Sequence, residues 1–310
     1  LIATQKICLS AFRFIATQQN TVKIVIKQMK KYHNFYGILL LIFVLACEDS
    51  SNDVATPIQK FIFEDGFETQ NNTINELFPS DASRWTSIQQ DDPANATNEI
   101  TIIQNEFTEG QNAIRFLAYA SDTQLSKINI EKSDFAAQKG DKVTINADFY
   151  INTEETIQNL LLIDLECCSC WDPSVIDMNS VENQCPGIRL ILSGENEYLS
   201  IERGKISATT LSQTSISFPR KQWVSVTWET TLSDTDNGIN KLSINGTEVI
   251  NETGMNMPNA EIFRTIFLNQ GIDFSLQEPV FYERVQIGAT ANPTNENIEL
   301  FVDNFSITIE

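Results

Sequence analysis

An all-β, antiparallel sandwich is the fold class that this 310-residue sequence predicts, on three observations. Apolar and polar residues alternate with period two in segment after segment, which sends one set of side chains to a core and the other outward. Two Asn-Gly pairs, at 237–238 and 245–246, punctuate the densest of those segments, as tight hairpins require. No stretch of the body carries a sustained apolar stripe at the 3.6-residue helical period.

The elements follow in chain order. Residues 1–28 begin with Leu, and we expect them to be an upstream extension that is not native. Met29-Lys30-Lys31 opens a positive segment, and Phe35–Ala46 follows as twelve uncharged residues. That run is shorter than the roughly 20 apolar residues a spanning helix needs, and it suits the core of a signal peptide over 29–46. Its end, Val44-Leu45-Ala46-Cys47, resembles the lipobox of bacterial lipoproteins, in which the cysteine is acylated and becomes the new N-terminus. Glu48 and Asp49 resemble the export signal of Bacteroidetes-type surface lipoproteins. The resemblance implies a lipid anchor on Cys47, a tether over 47–58 and an outer-membrane, cell-surface location. Residues 59–310 then form one domain without a second linker or an internal repeat.

Within that domain Val143, Ile145, Ala147, Phe149 and Ile151 alternate with Thr144, Asn146, Asp148 and Tyr150, giving a half-buried strand. Similar strands are expected at 113–120, 187–193, 198–205, 223–232, 241–245, 280–288 and 299–309. With the Asn-Gly turns, the chain from Trp223 to Ile250 reads as consecutive hairpins whose central turn residues take positive φ.

Charge narrows the function. All 41 Asp and Glu follow Ala46, against 15 Lys and Arg, a formal −26 for the chain after the signal. Such a surface repels phosphate backbones and anionic headgroups, so nucleic acid is not an expected partner. The one histidine, His33, lies in the signal. Its absence from the body removes Ser-His-Asp and Cys-His catalysis and His-ligated zinc.

The run Phe218-Pro-Arg-Lys-Gln-Trp-Val-Ser-Val-Thr-Trp228, followed by Lys241-Leu-Ser-Ile-Asn-Gly-Thr-Glu-Val249, resembles concanavalin A-like (laminin G-like) jelly rolls. Leu300-Phe-Val-Asp-Asn-Phe-Ser-Ile307 is similar to their closing strand, which pairs beside the first, here Phe61–Glu68. The resemblance implies a jelly roll over most of 59–310. Its members include carbohydrate-binding modules, glycoside hydrolases and polysaccharide lyases, so fold alone does not choose among them. Such jelly rolls often tie first and last strands with Ca²⁺, for which Glu64, Asp65, Glu68 and Asp303 sit at the matching places.

Three chemistries compete for the polar residues. A retaining glycosidase needs two flanking carboxylates; Asp164 and Glu166 share a strand face, but Leu162 stands where laminarinase-like members carry the first acid. A lyase must neutralise a uronate carboxylate, remove the adjacent proton and protonate the leaving oxygen, which Arg, Lys and Tyr can do without histidine. For it we nominate Arg189, Lys205, Tyr282 and Arg284, with Tyr282, Arg284 and Gln286 on one face of a late strand. Simple binding asks for aromatic and amide side chains, for which the candidates are Trp171, Tyr150, Asn146 and Gln286.

Cys167, Cys168, Cys170 and Cys185 in an exported protein predict two disulfides. Adjacent Cys167 and Cys168 would be strained if joined, so each pairs with Cys170 or Cys185. A four-thiolate zinc site is the competitor. Trp171 is then either a sugar-stacking ring at the loop tip or a buried cap over the sandwich edge. The sequence thus points to a surface lipoprotein that captures polysaccharide, with a lyase cleaving a uronate polymer as the alternative.

Overall fold

The computed structural model of the protein describes residues 61–310 except 158, 172–184, 204–208, 292–293 and 295. Pro57–Glu310 forms one compact unit. The extension, the signal, Cys47 and the tether therefore lie outside the described residues, as does Lys205.

Among the described residues fifteen strands build two antiparallel sheets. Sheet A runs β13 (Thr247–Thr253), β12 (Ile239–Ile244), β11 (Val224–Thr231), β6 (Lys142–Ile151), β15 (Ile298–Ile309), β4 (Ala113–Ala118) and β3 (Glu99–Ile103), with β1 (Phe61–Asp65) also against β15. Sheet B runs β10 (Thr209–Ser217), β9 (Tyr198–Arg203), β8 (Gly187–Ser193), β7 (Asn159–Glu166), β14 (Arg284–Ala291), β5 (Ser126–Lys132) and β2 (Ser87–Asp91). The two sheets form the sandwich that the alternation predicts, and the first strand pairs with the last from Phe61↔Ile309 to Asp65↔Phe305.

Alternation sets the core directly. On β6 the five apolar residues are buried, and Thr144, Asn146, Asp148 and Tyr150 are half-exposed on the other face. The β1 end is locked by rings: Trp85 lies 5.1 Å from Phe63, 5.0 Å from Phe305 and 6.0 Å from Phe67 between centroids. Each buried aromatic contributes about 2 kcal/mol by leaving water.

The two Asn-Gly pairs behave differently. Asn245 (φ 49°) and Gly246 (φ 75°) take the left-handed conformation of a two-residue hairpin between β12 and β13. Gly238 does not; the β11–β12 connection is longer, and a Cβ there would lie 2.4 Å from Gly254 O. Close backbone approach, not positive φ, is what requires that glycine.

The elements expected from the sequence do not include β2, β3, β5, β10 or the one longer helix. Helix α1 (Ala260–Asn269) starts at Asn259, whose side chain accepts from Ile262 N at 3.0 Å. It buries just Phe263 and Phe267, one turn apart, which is too short a stripe to stand out from the sequence. Phe267 packs against Trp171 (5.8 Å) and Phe274 (4.8 Å).

Candidate active site

β7 is apolar toward the sandwich core and acidic away from it. A register irregularity between Leu161 and Ile163 resets its alternation, so Leu165 joins the core while Asp164 and Glu166 face outward. Antiparallel register then lays one row across sheet B: Ser87 on β2, Glu131 on β5, Gln286 on β14, Asp164 on β7, Arg189 on β8 and Glu202 on β9. Row members sit on neighbouring strands about 4.8 Å apart, so their side chains touch.

The left half of the row closes around Arg284. Its Nε donates to Glu166 Oε2 at 2.5 Å, and its Nη1 lies 3.3 Å from Glu131 Oε2. Gln286 Nε2 donates to the same two oxygens, at 2.7 Å and 3.3 Å. Ser87 and Gln89 add donors to Glu131 from β2. Glu166 is 1% exposed, Gln286 1% and Glu131 7%. Buried carboxylates are tolerated when a guanidinium and amide donors satisfy them together, and this cluster does so.

The right half is looser. Arg189 Nη2 lies 3.5 Å from Glu202 Oε2. Two residues further along the same face come Ile191 and Ser200, then Ser193 and Tyr198. Ser200 bonds Ser193 at 2.9 Å and accepts from Gln213 at 2.9 Å. On β9 it is therefore the Tyr198, Ser200 and Glu202 set that faces outward with Arg189, and Arg203 points the other way.

The nominated residues divide accordingly. Arg189, Arg284 and Gln286 share the outward face of sheet B. Tyr282 does not join them: it sits before β14 in an isolated bridge with Ala137, fully buried in the core, and its hydroxyl donates to Asn256 O at 2.6 Å. Burial, then the charge of Asp164, pushes its phenol well above the usual value, with Arg203 opposing. β14 begins at Arg284, so the alternation of 280–288 does not reach back to Tyr282. Asn146 and Tyr150 lie on the outward face of sheet A, the opposite side of the sandwich. There Asn146 bonds Ser306 and Thr227, and Tyr150 packs against Phe301 (5.4 Å) and Trp223 (5.7 Å).

Trp171 is the buried cap rather than a sugar platform: it is 7% exposed, 4.8 Å from the Phe274 ring. The disulfides are Cys167–Cys170 and Cys168–Cys185, so none of the four sulfurs is a thiolate for zinc. Glu166 with Cys168 and Cys185 forms a group of ligand-type atoms, but two of the three are disulfide sulfurs. Cys185 Sγ accepts from Arg284 Nη2 at 3.4 Å, which ties that bridge to the charge cluster.

The carboxylates assigned to calcium do not fit a shared cation. Asp65 is held by Arg84 at 2.5 Å and 2.9 Å and caps Phe67 N. Glu68 accepts from Gln111 N, Asn112 N and Asn112 Nδ2. Asp303 accepts from Thr108 N, Thr108 Oγ1 and Asn304 N. Glu64 is exposed, on the opposite face of β1 from Asp65. Protein donors already occupy the oxygens an ion would need.

Glu131, Glu202 and Tyr198 belong to the face yet were not nominated. The signal for Glu131 was its odd-numbered phase with Lys127 and Asn129 in Ser-Lys-Ile-Asn-Ile-Glu-Lys, where Ile128 and Ile130 are core.

Known proteins resemble this chain in sequence family and in fold. A family model described as polysaccharide lyase matches residues 79–300. The chain is similar in structure to an endo-β-1,4-glucuronan lyase from the fungus Trichoderma reesei, with a TM-score of 0.54 and 10% identity over 81% of this chain and 95% of that one. A marine alginate lyase from Aplysia kurodai gives 0.48 and 10% identity over 81% and 98%, and a cellulose-induced protein 0.48 and 13% over 79% and 96%. No curated protein matches by sequence.

Proposed function

The chain belongs to the polysaccharide lyase family, and from that premise we propose that it cleaves a uronate-bearing polysaccharide by β-elimination on the outward face of sheet B. In that reaction a base removes the proton on the carbon next to the carboxylate. The released electron pair forms the C4–C5 double bond, the C4–O4 bond breaks, and an acid protonates the departing oxygen. The proton is acidic enough only when a cation or hydrogen-bond donor neutralises the carboxylate, because charge then accumulates on a stabilised enolate.

The observation that carries the reading is the row itself. With the adjoining Arg284–Glu166 pair it places two guanidiniums and a carboxamide among carboxylates along one outward sheet face, without any histidine. Tyr198, on the same face, is the described phenol able to exchange protons with the sugar. Lys205, two residues beyond β9, is a second base that we keep in the proposal. The structural likeness to a glucuronan lyase makes 1,4-linked polyglucuronate the first polymer to try, with alginate second. Non-catalytic capture is the competing reading. Incubation with both polymers, ulvan and glycosaminoglycans under ultraviolet detection separates them: the proposal expects the absorbance of an unsaturated uronate to rise on at least one, and flat traces on all of them with retained binding would leave capture alone.

In the same proposal the enzyme is displayed at the cell surface by acylation of Cys47. The support is the lipobox-like Val44–Cys47; Cys47→Ser should move the protein out of the membrane fraction, and no shift would remove the anchor.

A further inference from the structure

Arg189 in the row and Arg284 beside it are held very differently. Arg284 makes two hydrogen bonds and an ion pair, one through each guanidinium nitrogen. Arg84, Arg115 and Arg220 are likewise tied by hydrogen bonds to carboxylates or carbonyls. Arg189 is not. Its Nε, like that of Arg220, is buried without a hydrogen-bond partner, but Arg189 has no hydrogen bond among the described residues, and its one ion pair there is the 3.5 Å approach of Nη2 to Glu202. The side chain is 14% exposed in the middle of a sheet, between Asp164 on β7 and Glu202 on β9.

A guanidinium presents its donors in a rigid fork, and the edge formed by Nε and Nη2 matches a carboxylate side-on. In Arg189 that edge is half empty and its occupied half is long. A buried N–H left unpaired is unfavourable and persists where something else will take it up. Glu202 is on a neighbouring strand in register, so a small rotation of its side chain uncovers the edge.

We propose that Arg189 reads the uronate carboxylate at the point of elimination, that Glu202 is a positioning residue which holds the fork until the polymer arrives, and that Arg284 is structural. This rests on the reading that the polymer lies on the outward face of sheet B, and it sharpens that reading into a specificity rule. The carboxylate, not the ring hydroxyls, is what Arg189 selects.

The test uses the mature protein, wild type and with Arg189→Met, Arg189→Lys or Glu202→Gln. Calorimetric titration with a glucuronate trisaccharide and its methyl ester is paired with elimination rates on the free and esterified polymers. Arg189→Met should lose about ten- to a hundredfold in affinity for the free acid and little for the ester, with Arg189→Lys between, since it keeps the charge and loses the fork. Glu202→Gln should bind the free acid several-fold more tightly, a gain that a misfolded variant does not produce. Equal losses on acid and ester, no loss in Arg189→Met, weaker binding in Glu202→Gln, or a wild type that binds neither ligand would overturn the assignment. Arg189-dependent binding without elimination on any polymer would refute the lyase and leave the carboxylate reader standing, whereas elimination indifferent to Arg189 would do the reverse.

Discussion

The outward faces of the two sheets differ in kind, although both alternate with the same core. On sheet A most outward residues are half-exposed and pair locally: Asn146 with Ser306 and Thr227, Arg115 with Glu99 and Glu299, Lys142 with Glu229. Phe301 and Asp303 are the buried exceptions, and Asp303 is one carboxylate held by Thr108 and backbone donors. On sheet B Asp164, Glu166, Glu131 and Gln286 are all under a tenth exposed, and charge is stacked on charge. Burying several carboxylates together costs stability where leucines would pack as well or better. In the proposed function sheet A is the supporting face and sheet B the working one.

Breaking the comparison starts at Arg284. Arg284→Met removes the guanidinium that lies between buried Glu131 and Glu166, and we expect a loss of about 3–5 kcal/mol in urea unfolding. An unfolding midpoint close to wild type would mean that the cluster is not a cluster. Next comes the Cys168–Cys185 bridge, which closes a 17-residue span beside that guanidinium. Cys168→Ala/Cys185→Ala should cost about 2–4 kcal/mol by the same assay, and a cost near zero would show that the span is held otherwise. Tyr150→Ala on sheet A should lower stability by about 2 kcal/mol through lost contact with Phe301 and Trp223. It should leave elimination unchanged; a fall in affinity for polymer would move the working face to sheet A.

The smallest effect is the sheet A response to acid. Burial would raise the Glu299 carboxyl, but hydrogen bonds from Arg115 and Asn152, with the charges of Arg115 and Lys221, hold it below its ordinary 4.5. A depressed carboxylate contributes stability that is complete above the unfolded value and disappears as pH falls through the folded one. Glu299→Gln should therefore flatten the loss of stability below pH 4.5. Asp303 acts in the opposite sense: burial raises it despite donors from Thr108 and Glu109, so protonation at falling pH favours the folded state. An unfolding series across that window that is unchanged in Glu299→Gln would remove the Glu299 contribution.

What the sequence disclosed follows the same divide. Period-two alternation and the Asn245-Gly246 turn disclosed the sheet A hairpins, because a strand with one wet face must alternate. Asp164, Glu166, Arg284 and Gln286 were visible as polar residues in phase on apolar strands, yet their convergence was not. Register between β7 and β14, 118 residues apart at the Arg284–Glu166 bond, is a tertiary fact. Tyr282 misled because strand phase does not continue beyond a strand's first ladder bond, and Trp171 because the helix that covers it carries two buried residues and no longer stripe.

A crystal structure with a uronate trisaccharide bound tests the central claim most directly. The account predicts the sugar on the outward face of sheet B, one carboxylate against the Nε and Nη2 of Arg189, and Arg284 still held by Glu131 and Glu166. A trisaccharide seated on sheet A against Tyr150 and Trp223, with Arg189 untouched, would contradict it.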